Sequence, residues 1–213
     1  ILASCIGMII AGSAIAQPVS DRAVIPLGVT LVQILRIHVT NGGNIEFVFN
    51  DIDDFKNGIS NAQGNGFYDS DVVVASSTEW QLDMGAEDAN LLGTDDPSQT
   101  IALDNVGFMT NWTGANTCCA AASDVTLVGT LYDDTDVNPN GLSQYLGLNT
   151  VLIFTTGAAG NGGDINDNAF TILWECGTQN VAGTIPMNAV SLLDQNVLPD
   201  RYVTNVFLEL STF

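Results

Sequence analysis

The side chains best suited to chemistry are the oxygen donors of two loops rich in Asp and Asn. A loop whose alternate residues carry carboxylate or amide oxygens can wrap those ligands around a Ca²⁺ ion. The candidate ligands are Asp134, Asp136 and Asn138 in DDTDVNPNG, and Asp164, Asn166 and Asn168 in DINDN. Neither loop matches the EF-hand, because Pro139 and Ala169 stand where that loop requires glycine. Calcium binding here is therefore a hypothesis beside the simpler interpretation that both loops are solvated turns.

The cysteines lead to a prediction about cross-linking. Cys118 and Cys119 are adjacent, so in an oxidising compartment Cys176 is expected to form a disulfide with one of them. The sequence does not choose between the two, and it leaves open that all three thiols are free or that one pairs between subunits. A metal site is disfavoured, because the chain has no CxxC spacing and its only histidine, His38, is distant in sequence.

No residue pattern indicates catalysis. A single histidine excludes most catalytic triads and two-His metal centres, and no carboxylate pair stands out among 24 acidic residues. We therefore expect a protein that is not an enzyme and has no cofactor other than the hypothetical Ca²⁺. His38 lies between two apolar residues and is interpreted as an ordinary strand residue. The net charge of −20 opposes contact with nucleic acid and with anionic membranes.

Residues 1–16 form an uncharged, apolar run that ends in the small-x-small sequence AIA. This pattern is typical of a secretory signal cleaved before Gln17, and the run is short for a membrane-spanning helix, which needs roughly 20 apolar residues. One alternative is that the segment is retained and packs between subunits, as in some pilins, and another is that Cys5 belongs to a lipoprotein signal. The first interpretation predicts a secreted protein, extracellular or on the cell surface, with no membrane contact after processing.

The remainder of the chain predicts strands separated by clusters of Gly, Asn and Asp. TEWQLDM and FTILWEC alternate apolar and polar residues, which places Trp80 and Trp174 in the core instead of on an exposed sugar-binding platform. ILRIHVT and NIEFVFN, joined by NGG, predict a β-hairpin, and residues 186–196 predict one short helix. We expect residues 17–213 to form a single all-β domain, an antiparallel β-sandwich (Ig-like or jelly-roll-like) with long loops and at most one short helix.

Several stretches carry a resemblance to known proteins. The AIA before Gln17, TEWQLDMGAED, NAFTILWECGT and PDRYVTNVFLEL resemble uncharacterised secreted, fimbrial-type β-rich surface proteins of Bacteroidota. The likeness spans most of the chain after residue 16. It implies an extracellular or surface location and assembly into fibres, and it assigns no functional residue.

A sandwich with long terminal strands can assemble by donating one strand to the open sheet of a neighbour. We therefore expect a non-enzymatic structural subunit of an extracellular filament, pilus or surface layer, whose partners are copies of itself. The candidate donated strands are residues 17–32, which include VIPLGVTLV, and residues 201–213. The alternatives are a monomeric secreted adhesin or carbohydrate-binding module that binds a surface glycan, and a glycoside-acting enzyme.

Overall fold

The computed structural model of the protein describes residues 21–60, 68–116, 144–145, 151–154, 160–178 and 188–212. The chain divides into two units, Ile1–Val32 and Gln33–Phe213. In the first unit, residues 21–32 carry neither helix nor strand, and all described helices and strands belong to the second. None of the described helices is long and apolar enough to cross a membrane.

The second unit is built from short strands. In chain order the elements are β1 (Leu35–Asn41), α1 (Ile52–Asn57), β2 (Ile59–Ser60), β3 (Asp69–Ser76), β4 (Trp80–Ala86), β5 (Asn90–Gly93), β6 (Thr100–Ala102), a 3-10 turn (Leu103–Asn105), β7 (Val106–Trp112), β8 (Gln144–Tyr145), β9 (Val151–Phe154), β10 (Gly163–Cys176), β11 (Tyr202–Val203) and β12 (Val206–Thr212). The predicted all-β class is confirmed.

The described strands form three antiparallel sheets. The main sheet has the order β1-β3-β10-β7-β8, and β2 pairs with the end of β10. The second sheet has the order β12-β4-β9, and the third has the order β11-β5-β6. The long strand β10 is the centre of the main sheet, because it pairs with β3 on one side and with β7 on the other. The strand β1 lies at an edge of this sheet.

The core joins the main sheet to the second sheet. Alternate residues of β4, namely Trp80, Leu82 and Met84, are fully buried, as the two-residue period of a strand requires. Trp112 of β7 stacks on Trp80 and on Phe170 of β10, with ring centroids 6.4 and 6.3 Å apart. All three tryptophans of the chain are buried. The prediction that Trp80 and Trp174 are core residues is confirmed, and the packing of β4 on β7 and β10 is that of a sandwich.

A polar clamp fixes the start of β4. The buried side chain of Asn161 accepts a hydrogen bond from the Trp80 N–H (2.9 Å) and donates one to the Trp80 carbonyl (2.7 Å). The backbone carbonyl of Asn161 accepts a third bond from the Trp80 indole Nε1 (2.8 Å). Because residue 161 lies just before β10, this clamp ties the second sheet to the strand at the centre of the main sheet.

The predicted hairpin is wrong. Its first arm is β1, but β1 pairs with β3, and residues 45–50 belong to no strand. Gly42 has a φ of +64° and lies so close to the carbonyl of Asp69 that a Cβ would not fit. Beyond this turn Phe47 stacks on Tyr68 with ring centroids 4.5 Å apart. Packing of these apolar side chains on the core therefore prevails over pairing with β1.

The predicted helix is misplaced. Residues 188–196 form turns instead, and the Oγ of Ser191 accepts a hydrogen bond from the Asp194 N–H (3.0 Å). Side-chain bonds of this local kind compete with helical backbone bonds. The one α-helix among the described residues is α1, whose first turn is held by a capping box between Asp51 and Asp54.

Candidate functional site

The most exposed apolar surface of the described chain is residues 21–32, which we call the N-terminal segment. Ile25, Leu27, Val29 and Leu31 are 87, 90, 78 and 90% exposed. They recur at every second position, so in an extended strand their side chains would share one face. Pro26 is the one residue of the segment without an N–H to donate. An exposed apolar stretch of this kind marks an interaction site, because water is a poor solvent for it.

A second feature is a strand-like segment that has no strand partner. Residues 45–50, which we call the extended segment, alternate between half-buried and exposed side chains. Ile45, Phe47 and Phe49 pack against the core, whereas Glu46 and Val48 are exposed. This two-residue period is that of a strand. The backbone of the extended segment pairs with no described strand, so it resembles the open edge of a sheet.

An apolar groove of about 890 Å³ lies beside the extended segment. Five of the ten exposed large apolar side chains that lie beyond residue 34 in the described chain line this groove. We call them the rim: Val39, Val48, Leu198, Val203 and Val206. Buried core residues of β3, β4, β7 and β10 lie beneath them. The groove thus joins an apolar surface to an open backbone edge.

The charged groups around the groove are largely engaged. Glu46 accepts a hydrogen bond from the Nε of Arg201 at 3.0 Å. Desolvation is the largest single contribution and raises the pKa of Asp200, but the hydrogen bonds from the N–H groups of Asp95, Asp96 and Arg201 together outweigh it and hold that pKa below its usual value. The N-terminal segment has no charge after Arg22, and the run without charge extends to Leu35. In a chain of net charge −20, this run and the rim are surfaces that two copies can bring together without strong repulsion.

The structure bears on one of the two hypothetical calcium loops. Asp134, Asp136 and Asn138 lie outside the described residues. The residues of the other predicted loop lie in the first part of β10, where the register shifts between Gly163 and Asn168. There the carboxylate of Asp164 accepts N–H bonds from Asn166 (2.7 Å) and Asp167 (3.3 Å), which is the arrangement of a local irregularity in the strand. Asp164 and Asn166 are exposed, but Asn168 is fully buried and accepts a hydrogen bond from the side chain of Asn116 (3.4 Å).

These three side chains therefore do not share one solvent-facing loop. The described residues also contain no cluster of three acidic, His or Cys side chains that could hold a metal ion. Calcium binding remains a prediction that no contact in the described chain supports.

The thiol of Cys176 lies in the core at the end of β10. Burial, and secondarily the adjacent Glu175 carboxylate, raises its pKa to about 12. Cys118 and Cys119 lie outside the described residues, so the predicted disulfide with either of them remains a prediction. A thiol with this pKa is protonated at neutral pH and is a poor nucleophile. The Cys176 thiol is therefore poorly suited to act as a catalytic nucleophile.

The remaining candidates from the sequence, His38 and residues 201–213, belong to the strands of the fold. His38 is an exposed residue of β1, opposite Val73 of β3, as expected of a strand histidine. The second candidate for a donated strand, residues 201–213, is already used within the chain. Its residues 206–212 form β12, which pairs with β4 over seven positions. Of the other candidate, residues 17–32, the structure describes residues 21–32, and these pair with no strand.

Neither the groove nor the unpaired state of the extended segment is predicted by the sequence. The residues of the rim come from three separate parts of the chain, at residue 39, residue 48 and residues 198–206, so no local pattern indicates them. The signal that was present is NIEFVFN, whose alternation was correctly interpreted as extended and wrongly paired with β1.

Comparisons with known proteins add no family assignment. No protein-family model matches the chain, and no curated protein matches it either.

Proposed function

We propose that this protein is a non-enzymatic structural subunit of an extracellular filament or surface layer, in which each copy donates its N-terminal segment to the next. The observation that carries the proposal is the exposure of Ile25, Leu27, Val29 and Leu31 in a segment that has neither helix nor strand of its own. A secreted, cell-surface location is part of the proposal, supported by the apolar run at residues 1–16.

The energetic case rests on covering these four side chains. Burying one large aliphatic side chain contributes about 1.5–3 kcal/mol, so the four together contribute roughly 6–12 kcal/mol. Association itself costs an estimated 4–15 kcal/mol in lost freedom. Main-chain hydrogen bonds between strands then supply the surplus that makes a donated strand stable. A head-to-tail donation of this kind produces a fibre when the rotation between neighbours does not close into a ring.

Electron microscopy of the purified protein in negative stain tests the proposal, together with sedimentation velocity over a range of protein and salt concentrations. The expected result is fibres or a concentration-dependent series of oligomers, favoured by salt because salt screens the charge of −20. A deletion of residues 17–32 should remain a folded monomer. Globules of one size in the intact protein, at every concentration and ionic strength, would refute the proposal.

A further inference from the structure

We propose that the groove beside the extended segment is the acceptor site, and that its occupant is residues 24–32 of a second copy. This inference rests on the proposed function and adds to it the place on the neighbouring subunit where the donated strand lies. Ile25, Leu27, Val29 and Leu31 face into the groove and cover the rim, while the backbone of the donated strand pairs with the extended segment.

The first argument is the match of periods. The donated residues carry large apolar side chains at every second position, and the extended segment alternates with the same two-residue period. In a strand the N–H and C=O of alternate residues point to opposite edges. Pro26 therefore removes an N–H only from the edge to which the even-numbered residues point. The other edge, to which Leu27 and Val29 point, keeps all its N–H and C=O groups for pairing with the extended segment.

The second argument is electrostatic. Two copies of charge −20 repel each other over most of their surfaces. Residues 23–35 carry no charge, and the rim is entirely valine and leucine. At the groove, Glu46 is paired with Arg201. A donated strand that binds in the groove therefore has little unpaired charge to desolvate. A polar or acidic ligand would not cover the apolar side chains of the rim.

The third argument concerns the surface itself. Val48 and Leu198 are far apart in sequence, but both line the groove. Val48 lies in the extended segment and Leu198 lies just before β11, and each side chain is about half exposed. Exposed large apolar side chains are common singly on protein surfaces, but a set grouped around one groove indicates a binding surface. The groove also lies beside the backbone of the extended segment, which pairs with no described strand. A small apolar ligand would not use these backbone groups, whereas a strand does.

A matched pair of variants tests the acceptor site. Val48→Asp places a carboxylate on the rim, and Ile165→Asp places the same charge at a residue that is also 53% exposed but lies outside the groove. Neither side chain is buried, so both variants should unfold within a few degrees of the wild type. We expect V48D to raise the concentration needed for assembly roughly 100-fold or more and I165D to leave it near the wild-type value.

A second matched pair tests the donated strand. Leu27→Asp disturbs the face proposed to enter the groove, and Thr30→Asp adds the same charge to the opposite face. L27D should abolish assembly at concentrations where T30D still forms fibres.

Mixing L27D with V48D gives the decisive measurement. Each variant alone should sediment as a monomer, because one lacks a usable donated strand and the other lacks a usable groove. In the mixture the intact strand of V48D enters the intact groove of L27D, and the chain stops there. The expected product is a one-to-one dimer without longer fibres.

The possible failures are distinguishable. If wild type, V48D and I165D all form fibres at equal concentration while L27D does not, strand donation stands and the acceptor site is overturned. The same conclusion follows if the mixture of folded L27D and V48D contains only monomers. If the wild type never assembles, both the proposed function and the acceptor site are refuted.

Discussion

Replacing Leu27 by alanine separates the stability of the subunit from the stability of the assembly. The side chain is 90% exposed in a segment without helix or strand, so its truncation should change the free energy of unfolding by less than about 0.5 kcal/mol. In a donated strand the same side chain is buried, and its loss then costs about 2–3 kcal/mol per subunit contact. Since about 1.4 kcal/mol corresponds to a factor of ten, the protein concentration at half assembly should rise roughly 30- to 150-fold.

Sedimentation velocity or light scattering over a dilution series measures this concentration, and denaturation followed by circular dichroism measures the unfolding free energy of the dispersed subunit. Val32→Ala is the matched control within the segment, because Val32 is also highly exposed but has the opposite parity. Leu82→Ala is the converse control. Leu82 is fully buried in β4, so its truncation should destabilise the subunit by about 2–5 kcal/mol.

Two results would contradict this reasoning. An unchanged assembly threshold in L27A, with fibres still formed, would show that this face of the segment is not buried between subunits. A loss of more than about 1 kcal/mol in the unfolding free energy of the dispersed L27A subunit would show that Leu27 already packs within its own chain.

Two further predictions concern the fold. Asn161→Ala removes both side-chain partners of the Trp80 backbone and should lower the unfolding free energy by about 2–5 kcal/mol, whereas exposed Asn166→Ala should change it by less than about 0.5 kcal/mol in the same urea titration. In the reduced protein, burial raises the pKa of the Cys176 thiol to about 12, so iodoacetamide at neutral pH should label it only after unfolding. Because this pKa exceeds the unfolded value of about 8.5, the contribution of Cys176 to stability should be intact below that pH and should be lost as the pH rises towards 12. Rapid labelling of the folded protein, detected by peptide mass, would refute the buried placement.

Local patterns predicted the core well, because a strand that is buried on one face must alternate. Trp80, Leu82 and Met84 are buried as the alternation of TEWQLDM requires, and the same reasoning held for the strand that ends at Cys176. The partner of a strand is decided by contacts distant in sequence, and this is why β1 was assigned to the wrong neighbour. An NGG turn allows a hairpin, but it does not exclude a better partner elsewhere.

The location of the helix was within reach of the sequence. Asp51 and Asp54 have the spacing of a capping box, and Gly58 follows at the point where the helix ends. The helix has only six residues, which are too few to show a clear helical period, so the cap is its main signal in the sequence. Residues 186–196 have more apolar positions, but Ser191 and Asp194 bond to each other and stabilise a turn.

The candidate site was only partly predictable. The composition of VIPLGVTLV fits a strand buried within its own chain as well as a donated strand. The sequence also offers residues 201–213 as an equal candidate for the donated strand. Only the pairing of β12 with β4 separates the two. The groove depends on Val48, Leu198 and other side chains that the folded chain brings together, so no sequence window could have contained it.

The missing N–H of Pro26 has a consequence for the order of any fibre. An uncharged stretch rich in valine, leucine and isoleucine is also the composition that forms cross-β aggregates, in which strands add on both edges without limit. Proline blocks one edge of a strand while leaving the other competent. The N-terminal segment thus has one edge with a complete set of N–H donors, which favours growth along one axis and limits lateral aggregation of the chain with its neighbours.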